Sequence, residues 1–191
     1  MNTWITSDIH FQHESILSFC PNSRPYYTLE EMHLDITVKW NYKIQPEDTV
    51  YILGDVSFGK LQETVDFLNN LNGHKHLIVG NHDKKLLRQE LFRSCFNSVQ
   101  DYLELKYKSN LICLMHFPIF QWNAQHYGSL HLFGHLHGRP ISLTGRCKDI
   151  GMDTNNCEPY LLDDVILELK QIKYFNHRKE LENYFTHEKC D

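Results

Sequence analysis

A pattern repeated five times constrains this chain most: a short apolar run that stops on Asp, Asn or His. Trp4-Ile5-Thr6-Ser7 runs into Asp8-Ile9-His10, Val50-Tyr51-Ile52-Leu53 into Gly54-Asp55, and His76-Leu77-Ile78-Val79 into Gly80-Asn81-His82-Asp83. Leu111-Ile112-Cys113-Leu114-Met115 runs into His116, and Leu130-His131-Leu132-Phe133 into Gly134-His135-Leu136-His137. Short apolar runs bounded by turn residues read as buried strands. In open α/β sheets, ligands bind beyond the carboxyl ends of the strands. Five strand ends therefore converge Asp8, His10, Asp55, Asn81, His82, His116, His135 and His137 on one crevice. That is more nitrogen and oxygen donors than one metal ion needs, and it suits two.

The Gly80–Asp83 turn shows the chemistry in miniature. Gly80 supplies the close backbone approach of a sharp turn. Asn81 offers a neutral amide oxygen, His82 a group that exchanges a proton near neutral pH, and Asp83 a carboxylate expected to hold that imidazole.

Helical signals lie between the strands. A short helical stretch is expected at Ile16–Phe19, and Thr28-Leu29-Glu30-Glu31 reads as a capping box. Leu29, Met32, Ile36 and Trp40 then follow at helical spacing until Pro46 forbids continuation beyond Ile44. A second helix spans roughly Lys60–Leu71 and stops at Asn72-Gly73, and a third is expected from Asp83 to Phe92. The first half thus reads β-α-α-β-α-β-α, which argues for parallel pairing. Later, Val99, Leu103, Leu105 and Tyr107 alternate with polar residues and suggest a hairpin turning at Ser109-Asn110. A strand is expected near Lys148–Met152, a strand or a short helix over Asp163–Leu169, and a surface helix in the charged tail from Gln171 to Asp191.

A length of 191 residues fits a single domain over residues 1–191. No run is long enough to span a membrane and no secretory signal is visible, so a cytoplasmic location is expected. The net charge of −5 argues against a dedicated duplex-DNA binder. None of the six cysteines forms a C-x-x-C pair, and all six are expected to be reduced.

In order, D-x-H, G-D, G-N-H-D, a lone His and G-H-x-H over residues 8–137 resemble the calcineurin-like metallophosphoesterase superfamily. The flanking Ser7-Asp8-Ile9-His10-Phe11-Gln12-His13 is similar to small single-domain bacterial and phage members. The resemblance implies an α/β (α+β) fold, a four-layer α-β-β-α sandwich of two mixed β-sheets flanked by helices. It implies that Asp8, His10 and His137 hold one divalent ion, that Asn81, His116 and His135 hold a second, and that Asp55 bridges both. Manganese is the first choice, with iron, zinc or nickel as alternatives. His82 would be the general acid, supported by Asp83. The chemistry stands on its own: two cations about 3.5–4 Å apart neutralise a phosphate ester, acidify a bridging water and orient it for in-line attack. After Gly54-Asp55 the chain continues Val56-Ser57-Phe58 and lacks the arginine-containing continuation of protein Ser/Thr phosphatases. The expected substrate is a small phosphomonoester or phosphodiester, nucleotides included. A nuclease and a non-catalytic scaffold are the alternatives. His13, Arg139, Trp122 and Asn123 are candidate substrate contacts, and Tyr127 and Arg24 are weaker ones. His126 and His131 are expected not to be ligands, and Asp153 and Asn155 read as turn formers.

Overall fold

A computed structural model describes residues 1–174. Nine strands form two mixed sheets: β1 (Thr3–Thr6), β2 (Thr49–Ile52), β3 (His74–Ile78), β4 (Ser98–Gln100), β5 (Tyr102–Tyr107), β6 (Asn110–Met115), β7 (Leu130–Phe133), β8 (Arg146–Asp149) and β9 (Tyr160–Leu161). The first sheet has the order β4-β3-β2-β1-β9, parallel except at β9. The second has the order β5-β6-β7-β8, parallel except at β5. The helices are α1 (Ile16–Phe19), α2 (Leu29–Lys43), α3 (Leu61–Asn69), α4 (Glu90–Arg93) and α5 (Leu162–Lys170).

Consecutive residues divide the core between two faces, as the period-2 geometry of strands requires. Trp4, Val50, Ile52 and Leu77 pack with Met32, Ile36 and Trp40 of α2 and with Phe67 and Leu68 of α3. Their neighbours Ile5, Leu53 and Ile78 pack with Ile112, Leu114, Leu130 and Leu132 of the second sheet and with Leu162, Val165, Ile166 and Leu169 of α5. The capping box is present: the Thr28 side chain accepts from Glu31 N, and the Glu31 carboxylate accepts from Thr28 N. The Phe117–Ser129 connection lies over the outer face of the second sheet, with Trp122 buried against His131.

Several local expectations are corrected. Val99 belongs to β4 of the first sheet, and the chain switches sheets before β5, so the hairpin is β5–β6 alone. Instead of a helix from Asp83 to Phe92 there is a 3₁₀ turn, Leu86–Arg88, then α4, separated by Gln89 in extended conformation. Asp163–Leu169 is helical. Residues 171–174 leave the helix, and the rest of the expected tail helix lies outside the described residues. Cys20, Cys95, Cys113, Cys147 and Cys157 are free thiols. No helix among the described residues is long and apolar enough to cross a membrane.

Candidate metal centre

Parallel pairing places the carboxyl ends of β1, β2 and β3 on one edge of the first sheet and those of β6 and β7 on one edge of the second. The two edges touch. A Cβ on Gly134, after β7, would lie 2.0 Å from Ser7 Oγ and 2.4 Å from Asp8 Oδ2, so only glycine permits the approach. Within the first sheet, Asp8 N donates to Gly54 O and His10 N to Asp55 O, each at 3.0 Å.

Two donor groups result. Asp8, His10 and His137 form one, and Asp55, His116 and His135 the other; within each, the donor atoms lie within 4.8 Å of one another. Asp55 stands between them, its Oδ2 3.7 Å from His10 Nε2 and 3.6 Å from His116 Nε2. Asn81 joins the second group through Oδ1, 2.9 Å from His116 Nε2. All seven expected ligands are therefore assembled.

Each side chain is held by one atom and offers another. Asp8 Oδ2 accepts from His135 N at 2.9 Å, whereas Asp8 Oδ1 is buried without a partner. His10 Nδ1 meets His13 Nδ1 at 3.0 Å, whereas His10 Nε2 is buried without a partner. His116 Nδ1 donates to Leu53 O at 2.7 Å, which fixes its tautomer and leaves the Nε2 lone pair free. Asp55 Oδ1 accepts from His82 N at 2.9 Å. His137 Nδ1 bonds Asp153 Oδ2 at 2.7 Å. Buried polar atoms without partners are costly, and Asp8 Oδ1 and His10 Nε2 are the kind of pair a cation satisfies. The carboxylate, amide oxygen and imidazole set fits Mn²⁺, Fe or Zn²⁺, so these residues fit a pair of divalent ions.

The electrostatics agree. Burial works to raise the Asp8 carboxyl, but the nearby imidazoles of His10, His137 and His116 prevail and hold it below its usual value. Burial lowers His10. Burial would lower His137 too, yet its bond to Asp153 and the charge of Asp8 raise it. His13, beside His10, is pushed down by burial to about 4.

Five of the ten non-glycine residues with positive φ among the described residues are candidate ligands. Asp8, His10, Asp55, His135 and His137 all have φ between 52° and 69°. Left-handed backbone is uncommon outside glycine and clusters at functional sites.

Asp83, Trp122 and Asn123 depart from their expected roles. Asp83 does not hold the His82 ring. Its fully buried carboxylate accepts from Asp55 N, Val56 N and Gly80 N at 2.8–3.0 Å, clamping two strand-end turns. The carboxylate near His82 Nε2 is instead Asp55, at 3.8 Å. Trp122 is buried and donates Nε1–H to Ser129 O, and Asn123 donates to Glu104 on β5, so neither faces the metal centre. Arg139 donates from Nε to Leu136 O at 3.0 Å and stays at the exposed rim. Tyr127 is exposed on the outer loop, whereas His131 is buried, accepting from Ile119 N and bonding Cys113 O.

Sequence reasoning underrated Arg24 and Asp153. Both side chains are fully buried and form an ion pair at 2.8 Å. Arg24 also donates to Asp8 O and Ile9 O, so it fixes the first ligand turn rather than touching phosphate. The readable signal was Asp149-Ile150-Gly151-Met152-Asp153, a further strand end of the form already seen.

Comparison with known proteins decides the family. The profile of the calcineurin-like phosphoesterases matches residues 1–183. The chain belongs to that family. It is 28% identical over 170 residues to an uncharacterized protein of Methanocaldococcus jannaschii, covering 85% of this chain and 88% of that one. It is 31% identical over 169 residues to the gene 66 protein of Mycobacterium phage D29, covering 75% and 82%. Among solved structures, a protein of unknown function from Aquifex aeolicus shares the fold of this chain at a TM-score of 0.70 and 23% identity, covering 86% of this chain and 97% of that one.

Proposed function

We propose that this protein is a dinuclear metal-dependent phosphoesterase that hydrolyses small phosphodiesters or phosphomonoesters, nucleotides among them. The observation that carries this reading is Asp55 Oδ2, poised between two donor groups whose buried Asp8 Oδ1 and His10 Nε2 have no protein partner. Asp8, His10 and His137 would hold one ion and Asn81, His116 and His135 the other, with Asp55 placed to serve both. When bound, such ions supply Lewis-acid polarisation of the phosphate and activation of water.

The chain's own residues do the rest. His82 projects from the end of β3 with its side chain 46% exposed and its Nε2 beside Asp55, where it gives a proton to the departing oxygen. Asp83 keeps the Gly54–Asp55 and Gly80–Asn81 turns in register. His13 keeps His10 oriented through their paired Nδ1 atoms.

The test is metal content together with turnover. Protein purified in manganese should carry two ions per chain by plasma mass spectrometry and hydrolyse bis(4-nitrophenyl) phosphate, with activity abolished by chelation. A metal-free protein that hydrolyses the ester equally well, or a fully loaded one that hydrolyses none of a panel of mono- and diesters, overturns the reading.

A further inference from the structure

Beside the metal centre, on the side of His82, lies a cleft of about 460 Å³ that the proposed chemistry has not yet used. Its lining includes Phe58, Lys60, Leu61, His82, Lys85 and Gln89. The size falls in the range of ligand sites, roughly 300–1,000 Å³.

The cleft shares two walls with the metal centre. His82 contributes one, its Nε2 3.8 Å from Asp55 Oδ2. Phe58 contributes the other: its ring stacks on His13 at 4.0 Å, lies 5.2 Å from His10 and 4.6 Å from His82. Phe58 is 39% exposed, so part of its face is open. A group leaving from the His82 side enters this cleft first.

The chemistry of the lining specifies the occupant. Phe58, Leu61 and Leu86 give an apolar bed for a flat ring, and aromatic faces accept any nucleobase by stacking. Gln89 carries both donor and acceptor for a base edge. Lys60 and Lys85 bring two ammonium groups into a chain whose net charge is −5. Lys60 is partly engaged, 3.7 Å from Glu63. A small neutral alcohol would use neither the bed nor the cations.

Building on the phosphoesterase reading, we infer that this cleft is the leaving-group subsite and takes a nucleotide unit bearing a phosphate of its own. The scissile ester is then an internal phosphodiester of a short single-stranded oligonucleotide. Water adds its oxygen to phosphorus and the P–O bond on the cleft side breaks. The released oxygen takes a proton from His82, and His82 regains one from the water consumed. The products are a phosphomonoester and a nucleotide with a free hydroxyl.

The experiment compares three substrates of the manganese-loaded protein: bis(4-nitrophenyl) phosphate, a thymidine dinucleotide with free hydroxyl ends, and that dinucleotide with an added phosphate at its 5′ or 3′ end. The added phosphate should raise kcat/KM at one end by up to about tenfold, chiefly through KM, as two exposed charge contacts allow. The double variant Lys60→Gln/Lys85→Gln, checked for folding by circular dichroism, should lose that gain. Metal-free protein should likewise bind thymidine 3′,5′-bisphosphate several-fold more tightly than the double variant does. If neither end gives a gain, or if the double variant keeps it, the cleft assignment is overturned while nitrophenyl ester turnover leaves the phosphoesterase reading standing. If the nitrophenyl ester is not hydrolysed either, the phosphoesterase reading itself fails and this one with it.

Discussion

Asp153→Asn tests how the metal centre is supported from behind. Asp153 Oδ1 accepts from Ser23 Oγ at 2.6 Å and Arg24 Nε at 2.9 Å, and its Oδ2 accepts from Arg24 Nη2 at 2.8 Å and bonds His137 Nδ1 at 2.7 Å. An asparagine keeps the shape but turns one oxygen into a donor facing donors, and it removes the charge that neutralises a fully buried guanidinium. Breaking a buried ion pair from one side costs about 3–5 kcal/mol, a large share of a typical total stability of about 5–15 kcal/mol. Loss of the carboxylate behind a metal-ligating histidine typically weakens metal binding about 10–100-fold. Ser23→Ala is the control, because it touches the same carboxylate but not His137; it should cost about 1 kcal/mol and leave metal affinity unchanged. Urea unfolding of the chelator-treated protein reads the first quantity, and calorimetric Mn²⁺ titration reads the second. A folded Asp153→Asn protein that binds both ions within twofold of the parent would refute the reasoning that Asp153 orients His137.

Asp55→Asn should lose both ions and activity together, since Asp55 Oδ2 faces both donor groups; retention of two ions by plasma mass spectrometry with near-normal turnover would count against the bridging role. His82→Ala should keep both ions and much of its activity on nitrophenyl esters, yet lose about 10²–10⁴-fold on substrates with alkoxide leaving groups, because only those need a proton on departure. Equal losses on the two substrates would make His82 a phosphate-positioning residue instead. His131, fully buried, has its folded pKa lowered by burial from 6.5 to about 4, so its neutral form contributes stability that is fully present above pH 6.5 and lost as pH falls toward 4. Between pH 7.5 and 4.5 the chelator-treated parent should therefore lose about 2–3 kcal/mol more than His131→Gln in urea unfolding; parallel pH profiles would sink the claim.

What the sequence made legible was local in character. The candidate ligands sit at the ends of five apolar runs, so residue type and position along a strand sufficed to bring Asp8, His10, Asp55, Asn81, His116, His135 and His137 forward as one group, which the fold gathers at one place. Helix α2 was equally readable, because its cap and its stop lie within its own text at Thr28, Glu31 and Pro46. Partner choice was not readable. Val99 alternates in phase with Leu103 and Leu105, yet it pairs with β3, while the other two pair with β6. Arg24 and Asp153 meet across 129 positions of sequence, and no periodicity encodes such a meeting. Asp83 was misjudged because adjacency to His82 says nothing of where a carboxylate turns; three buried main-chain amides outbid one half-exposed imidazole. The cleft escaped notice because Phe58, Lys60, Lys85 and Gln89 come from two separate connections that become neighbours only once β2 and β3 are paired.

The protein holds its candidate ligands in an energetically adverse arrangement, and the form of that adversity is informative. Five of the seven ligand residues hold left-handed backbone, on the order of 1–2 kcal/mol each for a residue with a side chain. Two buried donor atoms, Asp8 Oδ1 and His10 Nε2, lack partners. His116 Nε2 and Asn81 Oδ1 are held 2.9 Å apart. The surrounding structure over-determines the geometry all the same. Arg24 ties Asp8 O and Ile9 O to Asp153, Asp83 ties three main-chain amides together, and the approach at Gly134 fixes the two sheet edges. Nothing in the packing of a purely structural domain calls for buried polar atoms left without partners. A scaffold on this fold would relieve the backbone strain with glycine and the unpartnered polar atoms with apolar side chains. Retention of the full donor set, together with the buried framework that holds it, therefore favours a chain whose folded state is completed by cations, so that metal binding and stability are linked.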